Sequence, residues 1–127
     1  MNVRKNRPAP SKTEHTSLLN YKGSNVAFEE IEGKMMVNAT QMAKPFGKRT
    51  RDWLKYQQSK DLIKTVSEGI NVASADLQLV KKGGKNQGTW FHEDVALFFA
   101  QWLSPTFYLA CNNKLKELLA QQTLALQ

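Results

Sequence analysis

The chain has 127 residues and a formal net charge of +7, and 41% of its residues are hydrophobic, among them three Trp and six Phe. This size favours one domain with a tail, and no apolar stretch approaches the ~18 residues that a membrane span needs. The N-terminus lacks an apolar signal region, so we expect a soluble, cytoplasmic protein with no membrane partner. Cys111 is the only cysteine, which excludes an internal disulfide and a Cys-based zinc site.

The positive charge is concentrated in three segments. Residues 1–22 carry a net charge of +4, residues 44–60 carry +5 and residues 81–88 carry +3, so the remainder of the chain sums to −5. A surplus of positive charge can serve solubility alone. Its confinement to three segments is instead typical of a protein that follows a phosphate backbone.

An arm and a hairpin are predicted first. Residues 1–22 mix Pro, Ser, Thr, Asn and basic residues, which predicts a disordered basic N-terminal arm. In residues 24–38, Val26 and Phe28 alternate with polar neighbours, residues 32–34 (Glu-Gly-Lys) supply a turn, and residues 35–37 form a second apolar run, which predicts a β-hairpin. We expect residues 23–120 to form the domain and residues 121–127 to be the frayed end of a C-terminal helix.

A very short helix is predicted after the hairpin. Asn38 or Thr40 is the expected N-cap, because both side chains accept hydrogen bonds from the first turn of a helix. Pro45 disfavours helical geometry at the residue before it, and Gly47 permits a sharp reversal.

A second, basic helix is predicted at about residues 48–56, with Thr50 as its cap and Trp53 facing the core. Another helix is expected from a cap at Ser59 to an end at Gly69. Two short helices joined by a glycine turn, the second opening with cations, resemble the arrangement that presents a helix to a DNA groove.

A second hairpin is predicted around residues 81–88, which we call the wing. Leu77 with either Leu79 or Val80 leads into it, and residues 89–91 form the returning strand. The wing holds three Gly and three Lys, which indicates a flexible cationic tip that can lie along phosphates beside a recognition helix. Ordinary exposed hairpin loops have the same composition.

Two helices are predicted to complete the domain, with Ser104-Pro105 ending one and capping the next. Apolar side chains recur at helical spacing in both, namely Val95, Phe98, Phe99, Trp102, Leu103, Tyr108, Cys111, Leu115, Leu118 and Leu119. We interpret them as the core that supports the hairpins and short helices.

Several separated blocks resemble the KilA-N domain. They are Met36-Val37-Asn38-Ala39-Thr40, then Gly47-Lys48-Arg49 with Asp52-Trp53-Leu54, then Thr89-Trp90-Phe91-His92 leading to Ala100-Gln101-Trp102-Leu103-Ser104-Pro105. This family occurs in bacteriophages, their bacterial hosts and large DNA viruses, and it is similar to the fungal APSES DNA-binding domain. The resemblance covers about residues 24–119.

The resemblance implies an α+β fold with two β-hairpins packed on short and longer helices. A helix-turn-helix-like element and a β-hairpin wing are part of that fold, and double-stranded DNA is the implied ligand. The resemblance also implies a phage or prophage regulatory protein, acting in the cytoplasm of a bacterial or phage-infected cell.

Nine side chains are candidates for DNA contact. Arginine suits bidentate bonds to guanine, so the arginines near residue 50 are assigned to bases, whereas the lysines and the wing are assigned to phosphates or an adjacent groove. The base-contact candidates are Arg49 and Arg51, the phosphate candidates are Lys44, Lys48 and Lys55, and the wing candidates are Lys81, Lys82, Lys85 and Gln87. Any one lysine could equally be a solvated charge, so the cluster carries the hypothesis.

Three alternatives stay open. The triplet at residues 92–94, His-Glu-Asp, suits a metal-dependent nuclease. Adjacent side chains at a helix start point in diverging directions, however, and helix capping explains the same three residues without a metal ion. We therefore expect no enzyme, metal site or cofactor. An antirepressor-type module that binds a protein partner, or a homodimer, would use the amphipathic stretch Leu115–Leu126. RNA is also a possible ligand, because positive charge alone does not distinguish an RNA-binding from a DNA-binding protein. No aromatic platform for stacking single-stranded bases is evident in the sequence, which favours duplex DNA.

Overall fold

The computed structural model describes residues 16–125, which form an α+β fold as predicted. The elements in chain order are β1 (Thr16–Tyr21), β2 (Ser24–Ile31), β3 (Lys34–Asn38), α1 (Ala39–Ala43), a 3₁₀ turn (Lys44–Phe46), α2 (Thr50–Leu54), α3 (Gln57–Ile70), a 3₁₀ turn (Ser74–Leu77), β4 (Gln78–Lys81), β5 (Gly88–His92), α4 (Glu93–Leu103) and α5 (Pro105–Ala125).

The five strands form one antiparallel sheet in the order β1-β2-β3-β5-β4. Two-residue turns join the first three strands, and both residues of each turn have positive φ: 53° and 81° at Lys22-Gly23, and 52° and 80° at Glu32-Gly33. Turns of that type follow the right-handed twist of the strands that they connect. The predicted hairpin at residues 24–38 is confirmed as β2 and β3.

Strand β1 corrects the predicted boundary of the N-terminal arm. Residues 16–22 form this strand and the turn after it, whereas residues 1–15 lie outside the described residues. The reason is packing, because Leu19 and Tyr21 alternate toward the core along β1. At the other end of the chain, residues 121–125 continue α5, and residues 126–127 are not described.

The short helix α1 begins where Asn38 caps it. The N–H of Gln41 donates to Asn38 Oδ1 at 2.9 Å, so Asn38 and not Thr40 is the cap. Gly47 then adopts φ 64° and reverses the chain, as predicted. The turn places α2 directly after α1.

The basic helix is shorter than predicted. Its helical residues are only Thr50–Leu54, so Lys48 and Arg49 precede it and Lys55 follows it. Thr50 is its first residue and not its cap, because Arg49 occupies the cap position without a capping side-chain bond. An extended Tyr56, at ψ 139°, separates α2 from α3 and lets each helix turn its own apolar side to the core.

The limits of α3 also differ from the prediction. The helix begins at Gln57, so Ser59 is a buried residue of its first turn and not its cap. It ends at Ile70, one residue beyond Gly69, and its C-cap Asn71 adopts φ 58° and donates its N–H to Ser67 O. Asparagine tolerates this left-handed conformation, which is why the helix does not need to stop at the glycine.

The main core lies between one face of the sheet and the helices. Phe28 and Phe91 from the sheet, Trp53 from α2, Phe99 from α4 and Phe107 from α5 are all buried there. The ring centroids of Trp53 and Phe99 lie 5.3 Å apart, so α2 is held against α4 by aromatic packing. This packing positions the short basic helix.

A smaller apolar cluster lies on the opposite face of the sheet, where Ala27, Met36 and Trp90 are buried. Leu79 of β4 packs against it, whereas Val80 is 61% exposed. Leu77, which was predicted to share a face with one of these two residues, precedes the strand and is buried in the main core. The predicted second hairpin is confirmed as β4 and β5.

Both predicted C-terminal helices form, with a cap between them. The N–H of Phe107 donates to Ser104 Oγ at 3.2 Å, which is the cap predicted for Ser104-Pro105. In α5 the buried side chain is Phe107, whereas Tyr108 is only partly buried. The apolar stripe therefore starts one residue earlier than predicted.

Candidate nucleic-acid interface

Three cations around the basic helix line one open groove. Lys48 and Arg49 precede α2, and Arg51 lies in its first turn. The groove is also lined by Thr40 of α1 and Thr89 of β5. Because β5 continues directly from the wing, this groove connects the two segments predicted to bind DNA.

The cations at either end of α2 share one carboxylate. Arg49 Nε lies 3.4 Å from Asp52 Oδ2, and Lys55 Nζ lies 3.7 Å from Asp52 Oδ1. The side chains of Arg49 and Lys55 are 61% and 73% exposed, so water weakens both pairs. Among residues 16–125, Arg51 forms no salt bridge. Both arginines are therefore accessible to a ligand.

Lys48 is held against an aromatic ring. Its Nζ lies 4.4 Å from the ring centroid of Trp102, which itself stacks on buried Phe99 at 5.9 Å. The contact positions an exposed ammonium group without removing it from water. The sequence pattern predicted Trp102 as a core residue only and did not predict its contact with a cation.

Lys44, the remaining phosphate candidate near α2, is exposed at the start of the 3₁₀ turn.

The wing candidates divide into two pairs. Lys82 and Lys85 are exposed at the tip. Lys81, in contrast, lies 3.0 Å from Glu29 Oε1 on β2 and 4.3 Å from the ring centroid of Trp90. The N–H of Gly83 donates to Gln87 Oε1 at 3.0 Å, so the Gln87 side chain folds back into the wing. Lys81 and Gln87 thus have partners within the protein.

The returning strand of the wing, β5, packs closely against α1. The N–H of Thr89 donates to Thr40 Oγ1 at 2.9 Å. Gly88 has φ 130°, and a Cβ placed there would come within 2.7 Å of Thr40 Oγ1. Only glycine suits this backbone and this distance. The contact joins residues 49 apart in sequence, so local patterns considered Thr40 only as a helix cap.

The triplet at residues 92–94 caps and begins helix α4. The N–H of Asp94 donates to His92 Nδ1 at 3.1 Å, and Glu93 and Asp94 occupy the first turn of α4. Burial lowers the pKa of His92, and burial together with Asp94 raises the pKa of Glu93. No group of three metal-ligating side chains occurs within residues 16–125. The capping role predicted for this triplet is confirmed.

Two of the leucines in the stretch assigned to a possible partner helix pack on the chain's own core. Leu115 and Leu118 are buried, whereas Leu119 and Leu124 are exposed. Residues five apart on a helix point about 140° from each other, so the two exposed leucines do not form one stripe.

Of the helices in the described part of the chain, none has both the length and the apolar character of a membrane span.

Comparison with known proteins gives one consistent result. The chain is 34% identical over 83 residues to a KilA-N domain-containing protein of Invertebrate iridescent virus 6, covering 60% of this chain and 24% of that protein. It is 26% identical over 91 residues to a KilA-N domain-containing protein of Acanthamoeba polyphaga mimivirus, covering 68% of this chain and 26% of that protein. The chain thus spans about a quarter of the length of these relatives. No solved structure matches it significantly.

The family model for the KilA-N domain matches residues 19–121, which include every strand and helix from β2 through α4. KilA-N domains are commonly DNA-binding and are found in viral proteins. The match extends over most of the chain, and the chain therefore belongs to the KilA-N domain family.

Proposed function

We propose that the chain binds double-stranded DNA as the DNA-binding domain of a phage or viral regulatory protein. The observation that carries the proposal is the groove in which Lys48, Arg49 and Arg51 lie beside Thr89 at the base of the wing. The groove reaches Thr89 at the base of the wing, so we infer that DNA following it contacts the cations of α2 and then those of the wing.

The contacts of each cation suggest its role. Arg51 and Arg49 are exposed and carry planar donors, so we assign them to base edges in the major groove. Lys44, Lys48 and Lys55 are assigned to phosphates on the same side. Lys82 and Lys85 extend that contact from the wing, whereas Lys81 and Gln87 stabilise the wing itself. This assignment revises the roles expected from sequence for the last two.

The salt dependence of binding tests the phosphate contacts. If about six of these cations neutralise phosphates, log K plotted against log salt should have a slope of roughly −5. We expect Lys82→Ala to weaken binding to all duplexes alike and to reduce the slope by about 1. The measurement is fluorescence anisotropy with a duplex selected from a random pool and with a scrambled duplex. The control is Lys116→Ala, which removes an exposed cation from α5. A wild-type slope near zero would reject the proposal.

Two substitutions of Arg51 separate base reading from charge. Arg51→Ala should cost about 1–3 kcal/mol on the selected duplex and relax specificity. Arg51→Lys keeps the charge but loses the bidentate geometry, so it should keep the salt slope and still lose discrimination between the two duplexes. Equal losses on both duplexes for both variants would assign Arg51 to the phosphates instead. A duplex RNA of the same sequence measures the preference for DNA.

A further inference from the structure

Asn38 is buried at the junction of β3, α1 and the wing, and both the oxygen and the nitrogen of its side-chain amide form hydrogen bonds. Its Oδ1 accepts the N–H of Gln41 and caps α1. Its Nδ2 donates to the backbone carbonyls of Asn86 and Gln87, at 3.0 and 3.3 Å. The side chain is 0% exposed. One residue therefore connects the start of the helix pair to the end of the wing.

The orientation of this amide is set by its partners. A backbone N–H can only donate and a backbone carbonyl can only accept, so the oxygen of Asn38 must face Gln41 and the nitrogen must face the wing. Capping alone needs only an oxygen, which Ser or Asp supplies equally well. The nitrogen of Asn38 has no part in capping, and its two bonds go to the wing.

Two neighbouring side chains hold the same part of the wing. Gln41 Nε2 donates to Asn86 Oδ1 at 3.0 Å, while its Oε1 accepts the N–H of Ala27 at 2.8 Å. Trp90 Nε1 donates to the carbonyl of Asn86 at 3.0 Å. Asn86 is thus bound from β3, α1 and β5 at once. At the other end of the wing, the pair of Lys81 with Glu29 ties β4 to β2.

We propose that Asn38 is a positioning residue that fixes the wing relative to α2 before DNA binds. The inference rests on the proposed function, because it concerns the contacts of Lys82 and Lys85 with the phosphates. A wing held at both ends loses little conformational freedom on binding, so its cations act from preformed positions. The predicted flexible tip is then limited to the residues between these two ends.

The first test measures the wing without DNA. Asn38→Ser keeps an oxygen cap for α1 and loses the donor to the wing. We expect the indole N–H of Trp90, which bonds Asn86, to exchange with solvent about tenfold faster in this variant, measured relative to the amide of buried Phe99 as a reporter of global opening. Equal acceleration of both groups would mean that the substitution only lowers overall stability, and it would overturn the inference.

The second test measures binding in a double-mutant cycle. Asn38→Ser should weaken DNA binding several-fold and reduce the salt slope in the wild-type background. In a background that carries Lys82→Ala and Lys85→Ala it should change neither, because the wing no longer contributes. The same loss in both backgrounds would overturn the positioning role. Failure of the wild type to bind any duplex would instead reject the proposed function, which makes the two failures distinguishable.

Asn38→Asp supplies a variant whose effect depends on pH. At neutral pH its carboxylate places an oxygen opposite two carbonyl oxygens, whereas the protonated carboxyl regains one donor. We expect exchange of the Trp90 indole to slow and the lost affinity to return on acidification. The control is Asn113→Asp, which adds the same charge at an exposed position of α5. Identical pH profiles for the two variants would contradict the inference, and this comparison still decides it if Asn38→Ser does not fold.

Discussion

At the residue scale, His92 caps α4 through a nitrogen that must be unprotonated. Its Nδ1 accepts the N–H of Asp94, so the ring proton lies on Nε2. Desolvation by burial lowers the pKa of His92, Asp94 raises it and Lys34 lowers it further. The net effect is a pKa below the ordinary value of 6.5, so the folded state keeps the neutral ring that the cap requires.

This histidine should make stability depend on pH in a definite direction. In the unfolded chain His92 binds a proton as the pH falls below the ordinary pKa, whereas in the folded chain the lowered pKa keeps the ring neutral. Protonation therefore stabilises the unfolded state first, and stability falls as the pH falls through the folded pKa. His92→Asn keeps an acceptor for the cap and cannot titrate. We expect the wild type to lose stability relative to His92→Asn as the pH falls below about 6.5, measured by urea unfolding. Because Glu93 and His15 are present in both proteins, the difference isolates His92. Parallel profiles would contradict the capping role of the neutral ring.

At the element scale, the β4–β5 hairpin is held on the sheet by a partly buried ion pair. The side chain of Lys81 is 32% exposed and that of Glu29 is 12% exposed. The lysine also covers Trp90, which is a buried member of the smaller apolar cluster. Lys81 therefore differs from its neighbour Lys82, although the two are adjacent and identical in sequence.

Removing the ammonium group of Lys81 should cost stability. Lys81→Met keeps the aliphatic cover over Trp90 but leaves the carboxylate of Glu29 poorly solvated and unpaired, which should lower the free energy of unfolding by about 1–3 kcal/mol. Lys82→Met should stay within about 0.5 kcal/mol of the wild type, because its charge is exposed. Adding Glu29→Gln to Lys81→Met should recover part of the loss. Equal effects of the two lysine substitutions in urea unfolding would show that the pair contributes nothing.

At the scale of the whole molecule, α5 holds the single thiol of the chain inside the core. Cys111 is buried with Phe107 and Leu115 on the face of α5 that packs on α4 and β1. Burial raises the pKa of this thiol to about 12, so its reactive thiolate is scarce at neutral pH. Reaction of Cys111 with a reagent therefore requires that α5 open.

Thiol labelling should report global unfolding. We expect the opening free energy from the rate of Cys111 modification to equal the free energy of unfolding from urea titration, because α5 carries part of the only large core found in residues 16–125. The reference rate is that of the same chain in denaturant. Labelling that is faster than global unfolding allows would show that α5 undocks separately, and the core would then be less cooperative than its packing suggests.

Local patterns predicted the starts of three of the five α-helices described within residues 16–125, and the turns at residues 32–34 and at Gly47. Ser104 and His92 were identified as caps, and Asn38 was one of two candidate caps for α1, because a cap acts on residues within about four positions of itself. The aromatic spacing of α4 was equally readable. Where two local signals competed, the boundaries moved: Thr50 and Ser59 have the composition of caps, yet both lie inside helices.

The sequence predicted only part of the contacts of the candidate interface. Charge clustering identified the cations of α2 and of the wing, but it treated the lysines of the wing as equivalent. Strand β1 was missed because the basic residues before it dominated the composition, although Lys22-Gly23 resembles the turn at Glu32-Gly33. An alternation that ends in such a turn is the signal that predicts this strand.

The amino-acid sequence alone established the segments that carry positive charge and several of the helix caps and turns, because these features depend on residue type and local spacing. Its separated motif blocks carried the resemblance to the KilA-N domain, and that resemblance implied the α+β fold. Only the tertiary structure decided that Lys81 pairs with Glu29 and that Asn38 bonds the end of the wing, since these partners lie 52 and 48 residues apart. No local pattern encodes such pairs. They form when the folding of the sheet brings β2, β3 and the wing together and buries polar groups that must then find a partner.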